Sequence, residues 1–85
     1  MRRRRVQFSD SFAQAVQQRR IAAKVSRQAL AQKAGLHQTY IGLIERGISN
    51  PSLDAAHAIA EALEVPLSKL VIEAEALFGR TESRK

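Results

Sequence analysis

Hydrophobic positions recur at three- and four-residue spacing along most of the chain, and no stretch alternates with the period of two that a half-buried strand needs. The pattern divides into five helical stretches separated by Gly, Pro and small polar residues. The first starts near Ser9 or Ser11 as N-cap, with Phe8 placed to staple the entry. Its apolar stripe is Phe12, Val16 and Ala23, with Arg20 on the same line. Ser26 caps a short second helix that turns Leu30, Ala31 and Ala34 inward, and Gly35 ends it as a residue able to take positive φ. The third runs from Gln38 to Arg46 with Ile41 and Ile44 inward, closed by Gly47. Asn50-Pro51-Ser52 forms a turn whose serine caps the fourth helix, with Leu53, Ala56, Ile59, Ala60 and Leu63 on one face. Pro66 suits the first position of a fifth helix, which carries Leu67, Leu70, Val71, Ala74, Leu77 and Phe78 before Gly79. Helices joined by loops this short predict an all-α bundle of five helices.

Length changes the picture first. A chain of 85 residues is one small domain. It buries only about 60–65% of its unfolded surface, so its core is marginal alone. Without cysteine, neither a disulfide nor a thiolate-zinc site supports it, and a second copy of the chain is the expected support. No uninterrupted apolar run exceeds three residues, so no membrane span is expected. Met1–Arg5 leads into Val-Gln-Phe-Ser-Asp rather than an apolar stretch, which does not read as a secretory signal. The expected location is cytoplasmic.

Charge is polarised. Of the net +6, Arg2–Arg5 contribute +4 and residues 80–85 contribute +2. Between them, Arg19, Arg20, Lys24, Arg27, Lys33 and Arg46 face Glu45 alone over residues 19–46, a local +5. Lys69 faces Asp54, Glu61, Glu64, Glu73 and Glu75 over residues 50–79, a local −4. One face suits a polyanion and another suits something else. The organisation expected is a basic arm at 1–8, a folded domain at 9–79 and a flexible tail at 80–85.

Residues 27–46 carry the spacing of a helix-turn-helix. Two helices that cross steeply need a small residue at contact, here Ala31, and a residue tolerant of positive φ in the turn, here Gly35. Leu30, Leu36, Ile41 and Ile44 fill the angle between them. With Ser26-Arg27-Gln28-Ala29-Leu30-Ala31, Thr39-Tyr40-Ile41-Gly42-Leu43-Ile44-Glu45-Arg46-Gly47 and Asn50-Pro51-Ser52-Leu53, residues from about 10 to 72 resemble the lambda-repressor/Cro (XRE-type) DNA-binding domain. The Tyr-Ile-x-x-Ile-Glu-Arg-Gly wording and the small size are similar to controller proteins of restriction–modification systems.

The resemblance implies a third helix that enters the DNA major groove, and a dimeric transcriptional regulator on palindromic operators. It places base contacts at Gln38, Thr39 and Leu43. A Gln amide matches adenine N6 and N7 bidentately, and Leu43 on an outward face would meet thymine methyls. Simple solvation of Gln38 and Thr39, or packing of Leu43 under Tyr40, are the plain alternatives. Phosphate contacts fall to Arg27, where relatives often carry a Gln, and to His37, Tyr40, Arg46, Ser49 and Asn50. Ordinary cap and turn chemistry is the alternative for Arg46 and Asn50. In the family pattern Glu45 pairs with an Arg on the first helix, and Arg20 stands at the matching place as a structural ion pair. Gly42, costly by about 1 kcal/mol inside a helix, answers either a close approach to DNA or a crowded helix contact.

Several chemistries are not expected. His37 and His57 are the only histidines, without carboxylates at ligand spacing, so neither metal nor cofactor is implied. No Ser-His-Asp set, phosphate loop or carboxylate dyad marks an enzyme. The expected partners are double-stranded DNA and a second copy of the chain, through Val71, Ala74, Leu77 and Phe78, with no membrane and no small-molecule effector. Arg2–Arg5 read as an arm on DNA, a solubilising tail or, least, a membrane anchor. A protein-interaction module or antitoxin-type partner that kept the fold is the alternative function.

Overall fold

The computed structural model describes residues 7–83, with side-chain surroundings for residues 7–80, so the arm at Arg2–Arg5 lies outside the described residues. Five helices appear, α1 (Phe8–Ala22), α2 (Arg27–Ala34), α3 (Gln38–Glu45), α4 (Leu53–Ala62) and α5 (Leu67–Ser83), and no strand among those residues. The predicted all-α architecture is the one observed. α1 packs on α5 and α3, α2 packs on α3 and α4, and α4 meets α5.

Four of these helices end in the same way, and only two of the endings use glycine. After α2, the Leu36 N–H donates to Ala31 O at 2.9 Å and the Gly35 N–H to Gln32 O at 3.3 Å, with Gly35 at φ 70°. After α3, Ile48 donates to Leu43 O at 2.9 Å and Gly47 to Ile44 O at 3.0 Å, with Gly47 at φ 75°. The pattern repeats after α1 with Lys24 at φ 60°, and after α4 with Glu64 at φ 62°. This paired bond satisfies the last carbonyls of a helix, and the left-handed residue in it is costly for any side chain but glycine. Gly47 has a second reason to be glycine, because a Cβ there would stand 3.1 Å from Asp10 Oδ1 of α1.

The start of α1 departs from expectation. Gln7, not Ser9 or Ser11, is the N-cap, and its N–H donates to the Asp10 carboxylate at 3.4 Å. Ser11 is buried instead. Phe8 does act as a staple, but against α5. Its ring meets Phe78 edge-on with centroids 5.7 Å apart, a geometry that aromatic quadrupoles favour. Ser26 and Ser52 cap α2 and α4 as predicted, accepting from Ala29 N and Ala55 N, each at 3.0 Å.

The core gathers Phe12, Val16, Leu30, Ile41, Ile44, Ile59 and Leu70 with six buried alanines at 13, 15, 31, 56, 60 and 74. Small side chains let helices approach closely, and this shifts which faces turn inward. Ala55 and Ala56 seat α4, leaving Leu53 82% exposed where the sequence pattern put it inside. Ala23 is exposed at the C-cap of α1 rather than on its buried stripe. α5 continues through Gly79, and the tail expected from residue 80 is helical as far as Ser83. Ala74 is fully buried within the chain, so it cannot meet a partner as predicted. Leu77 and Val71 pack half-buried against the same core.

One ion pair ties α1 to α5. Arg19 Nε donates to Glu73 Oε1 at 3.1 Å, and its Nη2 donates to Oε2. The hydrogen bonds from Arg19 hold the Glu73 carboxyl below the usual carboxylate range and push the Arg19 guanidinium up.

Candidate nucleic-acid interface

Glu45, the last residue of α3, has a side chain only 1% exposed. A carboxylate so placed needs paired charge and full hydrogen bonding. It has both. Arg20 of α1 donates from Nε to Oε2 at 2.8 Å and from Nη2 to Oε1 at 3.1 Å, in the bidentate fork that suits guanidinium and carboxylate. The remaining Arg20 donor, Nη1, reaches Val25 O at 3.0 Å, beyond the end of α1. The ion pair expected from the family pattern is therefore present. Arg27, at the start of α2, donates to the same Glu45 Oε1 at 2.9 Å while staying half exposed. Its partnership with Glu45 was invisible in the sequence, because nothing in the spacing of 27 and 45 brings them together. One carboxylate thus joins three helices and leaves a surplus positive charge at the surface.

That charge borders a cleft. Arg27, Gln38, Thr39, Gly42 and Arg46 line a depression of about 350 Å³ along the outer side of α3. Gln38 and Thr39, both exposed, supply amide and hydroxyl groups at its start. Arg46, exposed at the C-cap of α3, folds back toward the helix start and donates from Nε to Gly42 O at 3.4 Å. Gly42 decides one of the readings left open. No atom outside its own helix lies within 4 Å of a Cβ built there, so no neighbouring helix crowds it and the bare position opens into the cleft.

The other predicted contacts lie elsewhere. Leu43 is half-buried and does not line the cleft, and its carbonyl accepts from Ile48 N and Ser49 N at 2.9 and 3.2 Å. Tyr40 packs half-buried against the core. His37 stands exposed at the N-cap of α3 without making a capping bond. Asn50 belongs to a second, apolar groove of about 230 Å³ that also takes in Phe8, Phe12, Leu53, Leu67 and Val71. Among the described residues no cluster of His, Asp or Glu is arranged to hold a metal, and no helix is long and apolar enough to cross a membrane.

Comparison with known proteins gives a consistent set of likenesses. A helix-turn-helix family model matches residues 16–70. The control protein C.BamHI of Bacillus amyloliquefaciens is 46% identical over 55 residues, 64% of this chain and 68% of that protein. Two uncharacterized HTH-type transcriptional regulators of Mycobacterium tuberculosis are 36% identical over 59 residues, 69% of this chain, and the match spans only 42% of their length. Among solved structures, the restriction-modification controller protein C.AhdI of Aeromonas hydrophila superposes with TM-score 0.71 and 34% identity, over 73% of this chain and 94% of that one. C.Esp1396I bound to a 25 base pair operator site shares the fold, with TM-score 0.75 over 85% of this chain and 99% of that one at 23% identity.

Proposed function

The chain belongs to the helix-turn-helix family of lambda-repressor/Cro (XRE) type, and from that membership we propose that it is a non-enzymatic transcriptional regulator that binds a palindromic DNA operator as a homodimer. The observation that carries the reading is the cleft on α3, where Gln38, Thr39, Arg27 and Arg46 converge around a glycine. Gln38 offers one donor and one acceptor at the spacing of an adenine major-groove edge, and Thr39 adds a hydroxyl or a methyl. Arg27 neutralises a backbone phosphate and fixes register without reading sequence. Its bond to Glu45 holds the guanidinium in place before DNA arrives, so less side-chain freedom is lost on binding. Likeness to C.BamHI and C.AhdI supports the narrower reading as a controller of a restriction–modification system.

In this reading a two-fold dimer sets two copies of α3 about 34 Å apart, on half-sites one helical turn apart. The surface for the second copy is the apolar groove with Leu53 and Val71, together with the exposed side of Phe78, and no longer includes Ala74. Selection of bound sequences from a random duplex pool at physiological salt tests the proposal. An enriched palindrome with half-sites one turn apart is the expected result. Gln38→Ala should then weaken the enriched site by about 1–3 kcal/mol and relax one position in each half-site. Enrichment of no sequence, with stable capture of a protein partner instead, would overturn the proposal in favour of an interaction module.

A further inference from the structure

We infer that Arg46 reads a guanine in each half-site, and that Gly42 is the gap through which it does so. The inference rests on the DNA-binding reading and adds a specificity-determining residue to it. Two guanidinium groups border the cleft, and they are not equivalent. Arg27 is engaged by Glu45, a carboxylate that Arg20 also holds, and its position is set before any ligand binds. Arg46 makes one long bond, from Nε to the Gly42 carbonyl, and has no carboxylate partner among the described residues. Both guanidiniums are held through Nε alone, and Arg46 is the one whose pair of terminal nitrogens carries a charge that no carboxylate among the described residues offsets. Planar, paired donors of this kind match O6 and N7 of guanine in the major groove.

Direction comes from the helix. Thr39 and Arg46 are seven residues apart and share one stripe of α3, with Gly42 between them. Helical side chains lean toward the N-terminus of their helix, so Arg46 lies over the turn that contains Gly42. The Nε bond to Gly42 O records that lean. Gly42 lines the same depression as Arg46 and Thr39, and a long side chain there would extend into space that glycine leaves open. The guanidinium is therefore carried back over the last turn of α3 to the cleft that Gln38 and Thr39 also line, on the side a helix in the major groove turns to base edges. A side chain extending past the helix end would instead meet the sugar–phosphate flank.

The experiment compares duplex selections by the intact parent chain, by Arg46→Ala and by Gly42→Met. For the parent, one position in each half-site is expected to favour guanine by about tenfold to a hundredfold over other bases. Arg46→Ala should bring that position close to parity while the adenine position assigned to Gln38 stays enriched. Gly42→Met keeps Arg46 but fills the gap, and should erase the same guanine preference. Thermal unfolding checks that both variants fold, as expected for an exposed residue and an open position. A uniform loss of affinity with every position still enriched would make Arg46 a phosphate contact and overturn the inference. Failure of the parent itself to enrich any sequence would instead bring down the DNA-binding reading, and this inference with it.

Discussion

Glu45 shows how one residue can be structural and still shape a binding surface. It is buried, it holds Arg20, and it fixes Arg27 at the edge of the cleft. Removing it strands the Arg20 guanidinium inside the fold. Glu45→Ala should therefore lower stability by about 3–5 kcal/mol in urea unfolding, while Arg27→Ala, which cuts a half-exposed pair, should cost no more than about 1 kcal/mol. Gly42 makes the opposite case. A Cβ there meets open space, so Gly42→Ala should raise the stability of the free protein by about 1 kcal/mol through helix propensity alone. A rise in thermal midpoint together with weaker operator binding would mark position 42 as shaped for DNA rather than for folding. The Arg20–Glu45 pair was legible in the sequence through the family pattern. Arg27's bond to Glu45 was not, because it depends on how α2 crosses α3.

At the scale of the helix, endings were read well where glycine marks them and missed where it does not. Gly35 and Gly47 announce left-handed terminations, whereas Lys24 and Glu64 adopt the same conformation with side chains that disfavour it. Lys24→Gly and Glu64→Gly should each stabilise the fold by about 1 kcal/mol in the same urea assay, and unchanged midpoints would mean the unfolded chain absorbs the gain. The start of α1 was displaced for a tertiary reason. Phe8 finds Phe78 on α5, and that contact carries the helix back to Gln7, past serines that local cap preference favours. The Arg19–Glu73 bridge makes the same α1–α5 contact sensitive to acid. Its depressed carboxyl contributes stability that is complete above the ordinary carboxylate range and is lost as pH falls through the lower, folded value. Glu73→Gln should thus be less stable than the parent near neutrality and converge on it in acid, as thermal unfolding across that range will read.

For the whole molecule, the proposed two-fold contact rests on the exposed apolar groove. Leu53 stands 82% exposed beside Phe8, Leu67 and Val71. Leu53→Lys should shift the mass in sedimentation toward the monomer and lower the thermal midpoint to a value that no longer rises with protein concentration, with steeply weaker binding to a two-half-site operator. A dimer that persists in this variant would place the two-fold contact elsewhere. By itself, the sequence determined the five helices, two serine caps, two glycine endings and the helix-turn-helix, since spacing, cap chemistry and positive φ act within a few residues. It also determined which residues stand at the start of α3, where Gln38 and Thr39 line the cleft. Only the tertiary structure decided where the apolar pattern and the core part company. Seating helices on alanine makes the contact face depend on the partner helix, so Ala55 and Ala74 went in while the larger Leu53 stayed out. The same holds for the cleft, because an Arg on α2, a glycine in mid-α3 and an Arg at its end become one site only when the crossing of α2 and α3 has set their distance.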